Sequence, residues 1–118
     1  MKISRTGIVI SALPSLLMLG AFYSLAVHMR LTLGHWPDSI GTIGFAERLI
    51  AHGRFAWEFY AALLASSMVV VPIGTVICLL APRWRRSALY FASFGVFYGV
   101  CWGLMLLAPS GFLNWWWD

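Results

Sequence analysis

The chain has 118 residues, of which 61% are hydrophobic and only 10% charged, with a formal net charge of +4. Soluble domains are about half apolar and about a quarter charged, so a chain this short cannot hide such an apolar surface from water, and its solvent must be lipid. The eight basic residues stand at the ends of apolar runs and form no patch with interleaved aromatics, which argues against nucleic-acid binding and fits anchoring to anionic headgroups.

Three windows lack Asp, Glu, Lys and Arg altogether: Gly7 to Met29, Phe59 to Ala81 and Ser87 to Ala108. About 20 apolar residues in a helix cross a hydrocarbon core of about 30 Å. Backbone groups in lipid must bond within their own segment, so each window must be helical. The predicted fold class is an all-α integral membrane protein with three transmembrane helices, drawn at about 7–29, 57–81 and 87–108 in one membrane domain, 1–118.

The first window begins behind Lys2 and Arg5, and Ser24-Leu25-Ala26 loosely resembles a cleavage site. Its apolar run is longer than the 7–15 residues of a signal peptide, so it reads as an anchor. Pro14 with Ser11 and Ser15 gives it a weak stripe of small residues.

The loop that follows, 30–56, is the sizeable polar segment, and it predicts an amphipathic interfacial helix at about 39–52. Asp38 or Ser39 would cap that helix and Gly53 would end it, with His52 in its last turn. Ile40, Ile43, Ala46, Leu49 and Ile50 recur at spacings of three and four, while Glu47, Arg48 and Arg54 take the wet side. Trp36, Leu49 and Ile50 are the expected partner-facing anchors. Gly41 and Gly44 weaken the helix, so a partner surface would help to hold it.

The second span offers Ala61 and Ala65, small residues suited to close helix packing, and Pro72 and Gly74 predict a kink. A short turn at 82–86, Pro-Arg-Trp-Arg-Arg, joins it to the third span as an antiparallel hairpin. On the third span Gly95, Gly99 and Gly103 recur every four residues and form one stripe without side chains. The expectation is a groove for another helix, the second span being the obvious neighbour. The alternative is a flat surface for the ring or tail of a haem, chlorophyll or quinone. Trp36, Trp57, Trp84 and the run Trp115-Trp116-Trp117 in the tail 109–118 fall near span ends, as an aromatic belt at both headgroup levels requires.

Orientation follows from Lys and Arg. Lys2, Arg5, Arg83, Arg85 and Arg86 share one side, against Arg30, Arg48 and Arg54 on the other. That bias predicts a cytoplasmic N-terminus and a periplasmic or extracellular C-terminus, in a bacterial cytoplasmic membrane.

Groups able to do chemistry are scarce. Glu58 is the acid nearest the membrane interior, and Arg54, four residues back, predicts an ion pair that lets it snorkel outward. No second carboxylate can divide acid and base duties with it, so no catalytic residue is expected. His28, His35 and His52 all fall at the outer edge. Three imidazoles on one side could form a zinc or copper site, but His28 and His35, seven apart with Gly34 between them and Pro37 following, do not share a helix face, so no metal site is expected; His28, on a rigid span end, is the best single candidate for a cofactor ligand. Cys78 and Cys101 lie about 15 Å apart in depth across the hairpin, too far for a disulfide.

The expected function is that of a non-catalytic accessory subunit, contacting the lipid bilayer and other transmembrane subunits of a larger, energy-converting complex. A cofactor-binding subunit using His28 and the aromatic third span is one alternative, and a homo-oligomeric transporter or channel is another.

Overall fold

A computed structural model describes residues 4–37 and 41–117 of the chain. Every element among them is a helix: α1 (Arg5–Leu33), α2 (Glu47–Leu80), a 3-10 turn (Pro82–Ser87), α3 (Ala88–Met105) and α4 (Ser110–Trp117). Three of these segments, Arg5–Leu33, Glu47–Leu80 and Pro82–Met105, are long and apolar enough to cross a membrane.

Local chemistry sets the boundaries. Ser4 has extended backbone and its hydroxyl accepts from the Gly7 N–H at 2.8 Å, which starts α1. Gly34 ends it at φ 75°, where its N–H reaches the Arg30 carbonyl at 2.9 Å and a side chain would strain the backbone. At the far end of α2, Pro82 forces Ala81 out of the helical region, to φ −93° and ψ 108°. The chain then turns through 82–87 as a 3-10 helix, and Arg85 Nε donates back to the Leu79 carbonyl at 3.4 Å.

Contacts between helices fix their directions. Tyr90 lies beside Ser4 and Gly7, and the Tyr23 hydroxyl donates to the Leu104 carbonyl, so α1 and α3 run parallel. Phe91 packs on Gly74, and Trp102 Nε1 donates to Tyr60 Oη at 3.2 Å, so α3 returns antiparallel to α2 as the hairpin requires. In α1, Ala12, Ser15, Met18, Phe22, Leu25, Ala26 and Met29 are buried, one stripe at spacings of three and four. It is the central element, 28% buried over its most apolar window against 11% for each of the others.

The loop differs from its expectation. Residues 41–46 are not helical, and α2 begins only at Glu47. Gly41 (φ 94°) and Gly44 (φ 82°) take left-handed backbone, which breaks any helix across 41–46. Asp38, Ser39 and Ile40, the expected start of the interfacial helix, lie outside the described residues. Residues 47–52 form the first turns of α2, and Gly53 lies within that helix instead of ending it. With 34 residues α2 is about 51 Å long at 1.5 Å per residue, more than a bilayer core needs.

The short extra helix is instead in the tail. Phe112 and Trp116, one turn apart on α4, are both buried against the other helices, while Trp117 is exposed. Four ring contacts to Phe22, Trp57 and Tyr60 draw these two side chains inward, with centroids 4.9 to 5.7 Å apart. We call this end of the bundle the aromatic end and the opposite one the hairpin end.

Candidate functional site

The polar groups that converge lie where the C-terminal part of α1 meets the first turns of α2. Ser24 and His28 stand one helical turn apart on α1 and face His52 of α2. His28 Nδ1 and His52 Nδ1 are 2.8 Å apart, and His52 Nε2 is 3.0 Å from Ser24 Oγ. The two rings have centroids 5.1 Å apart and planes at 33°. Both histidines are half-buried.

One arrangement of hydrogens on neutral rings satisfies all three of the contacts made by Ser24 and the two histidines. Ser24 Oγ donates its one hydrogen to the Ala21 carbonyl at 2.9 Å, so toward His52 it can only accept. His52 therefore carries its proton on Nε2 and offers a lone pair at Nδ1. His28 supplies the hydrogen of the Nδ1···Nδ1 contact, which leaves its own Nε2 as a lone pair. Among the described residues that Nε2 has no hydrogen-bond partner. The arrangement orients one imidazole through another, much as a second group fixes the ring of a ligating histidine.

The sequence treated His28 and His52 as separate edge residues. The pairing was missed because it depends on the register between α1 and α2. The available signal was the Ser24–His28 spacing of four, which puts both on one face of α1. His35 takes no part: it is exposed and its Nδ1 bonds to the Trp36 carbonyl at 2.7 Å. No group of three or more His, Cys, Asp or Glu side chains converges among the described residues.

The glycine stripe is placed opposite to expectation within the chain. Gly95, Gly99 and Gly103 are exposed, and a Cβ built on any of them would meet nothing within 4 Å. Ala65 is exposed as well, and Ala61 is half-buried. The tight glycines are others: a Cβ on Gly74 would stand 2.6 Å from the ring of Phe91, one on Gly7 2.5 Å from Tyr90, and one on Gly111 2.8 Å from Trp36. Helix α3 turns its aromatic side inward because a ring seated on a glycine makes far more dispersion contacts than a bare stripe does. Beside these rings an apolar groove of about 380 Å³ runs between α1, α2 and α3, lined by Ser11, Pro14, Ser66, Tyr90, Phe91 and Phe94 among others.

The expected partner-facing anchors are largely used internally. Leu49 is 1% exposed and belongs to the core of the chain. Trp36 is half-buried against Phe112 and Gly111, with the Arg30 guanidinium 5.5 Å from its ring centre. Ile50 lines a recess with Phe45 and Trp115. Arg54 and Glu58 are both exposed, and no ion pair between them is found among the described residues. Cys78 and Cys101 are buried and free.

Comparison with known protein families, characterised proteins and solved structures finds no match to this chain.

Proposed function

We infer that the chain is a non-catalytic subunit of a larger membrane assembly, held in a bacterial cytoplasmic membrane with its N-terminus inside. The observation that carries this reading is the outward-facing stripe of Gly95, Gly99 and Gly103 on α3. The chain's own helices leave this groove unfilled, and in lipid such a groove favours close approach by another helix backbone, through dispersion and Cα–H···O contacts. With α2 and α3 each only 11% buried over their most apolar windows, most of the surface of both helices is left to lipid or to neighbours. An energy-converting complex, respiratory or photosynthetic, is the host we favour, since such assemblies collect small helical subunits around a catalytic core.

The test is native mass spectrometry of material extracted from its own membrane in mild detergent. A hetero-complex present for the wild-type chain and lost for Gly99→Leu supports the reading. A complex of identical copies would replace it with the homo-oligomeric transporter or channel.

A second reading draws on His28, whose free Nε2 on an oriented ring suits an axial ligand to haem or chlorophyll. An absorption spectrum of the gently purified chain with a Soret or chlorophyll band would move the assignment to a cofactor-binding subunit. A quinone would lack such a band and would show on extraction instead.

A further inference from the structure

His28 and His52 come from helices separated in sequence by a broken loop, yet they meet nitrogen to nitrogen at the aromatic end. We propose that this pair is a copper(I) site, in which the ion takes the place of the proton now held between the two Nδ1 atoms. The inference is independent of the subunit reading.

The hydrogen bond and the metal bond make the same geometric demand. An N–H···N contact of 2.8 Å aims the lone pair of one ring at the nitrogen of the other. A cation that accepts two neutral nitrogens on opposite sides needs those two lone pairs on one line. Copper(I), with a filled d shell, is satisfied by two such donors. Zinc holds four ligands in its structural sites, and no third His, Cys, Asp or Glu converges on the pair among the described residues. Magnesium and calcium require oxygen donors, and no carboxylate belongs to the pair. The donor set therefore selects for a soft, low-coordinate ion.

The protons balance. In the metal-free pair His52 carries its hydrogen on Nε2, bonded to Ser24, and His28 carries its hydrogen on Nδ1. Copper(I) needs the lone pairs of both Nδ1 atoms. The His28 hydrogen moves through water to its own Nε2, which has no partner among the described residues and so has room for it. Both rings stay neutral, no proton is released, and the site gains the single positive charge of the ion. Ser24 keeps His52 in the tautomer that presents Nδ1 throughout.

The movement required is small. At about 2.0 Å per metal–imidazole bond the two nitrogens part from 2.8 Å to about 4 Å when the ion lies between them. Both rings end their side chains and are half-buried, so they can swing apart without moving the helices.

The test uses the full chain in detergent, purified without a polyhistidine tag. Copper is kept reduced with ascorbate and titrated in competition with the chromophoric chelator bathocuproine disulfonate. The expected result is one copper(I) per chain, with X-ray absorption showing two nitrogen neighbours. His28→Asn and His52→Asn keep a polar partner across the helix contact, so the fold survives. Each should weaken binding at least tenfold, while His35→Ala leaves it unchanged. The proposal is overturned if the wild-type chain fails to draw copper from the chelator, or if both Asn variants bind as the wild type does. Sulfur neighbours in the absorption spectrum would overturn it too, since they would place the ion at a methionine or cysteine.

Discussion

Phe22 of α1 and Phe112 of α4 meet with ring centroids 4.9 Å apart, and neither side chain is measurably open to solvent. Through this contact the last helix of the chain is tied to the middle of the first. Trp116 extends the contact on the same face, 5.2 Å from Phe22 and 5.2 Å from Trp57. Trp115 adds a hydrogen bond from its Nε1 to the Gly41 carbonyl at 2.9 Å, which holds the loop.

Phe112→Ala should therefore destabilise the chain by about 3 kcal/mol, the lower end for emptying a buried aromatic site. Thermal unfolding in detergent reads this as a lowered midpoint. Trp117→Ala, on an exposed residue of the same helix, should shift the midpoint much less. Equal shifts for the two would mean that α4 is not packed on α1.

The three long helices were legible because charge-free windows and helical closure in lipid leave no alternative. The α2–α3 connection was legible as well, since Pro82 must end a helix at Ala81. The rotation of α3 was not. Its composition is apolar on every side, so no amphipathic signal says whether Gly99 or Phe91 faces inward. The packing of the tail was not legible for a related reason: a run of tryptophans near a span end does not say in one dimension which ring is buried against the bundle. The His28–His52 pair needed the register of two helices, which no local pattern encodes.

Two glycines should answer oppositely to the same substitution. Gly74→Leu drives a side chain into the ring of Phe91 and should cost about 1–3 kcal/mol, the usual range for overpacking. Gly99→Leu meets open space and replaces a poor helix former, a change worth about 0.5–1 kcal/mol in favour of the helix. The purified chain carrying Gly99→Leu should thus melt no lower than the wild type, even though its association with other helices is weakened. A large loss of stability from Gly99→Leu in the isolated chain would show that the stripe packs internally.

Among the described residues three buried side-chain groups lack a hydrogen-bond partner: the Tyr98 hydroxyl, the Ser15 hydroxyl, on a fully buried residue, and the Trp116 indole N–H. An unmet buried hydrogen-bonding group costs about 1–3 kcal/mol. Ser15→Ala should therefore raise the melting midpoint, and Trp116→Phe should be close to neutral despite the loss of ring area. If Ser15→Ala instead lowers the midpoint, its hydroxyl is bonded within the membrane, to water or to a neighbour.

The sidedness of the chain rests on five basic residues against three, and the fold lets that balance be tested directly. Thr42 lies in the loop at the aromatic end, and Trp84 lies in the turn at the hairpin end; both are exposed. The native Cys78 and Cys101 are buried, so an impermeant thiol reagent meets little background. In intact cells Thr42→Cys should be labelled, while Trp84→Cys should be labelled only after permeabilisation. The substitution at Trp84 leaves Arg83, Arg85 and Arg86 in place, so the orienting charge is not disturbed by the probe. Changing those three arginines to Asn leaves Lys2 and Arg5 against Arg30, Arg48 and Arg54, two against three. Because retention of Lys and Arg on the cytoplasmic side sets the orientation, the tripled variant should then insert both ways, and Trp84→Cys in that background should become partly reactive from outside. Full labelling of Trp84→Cys in otherwise unaltered cells would reverse the assignment and place the His28–His52 pair on the cytoplasmic face.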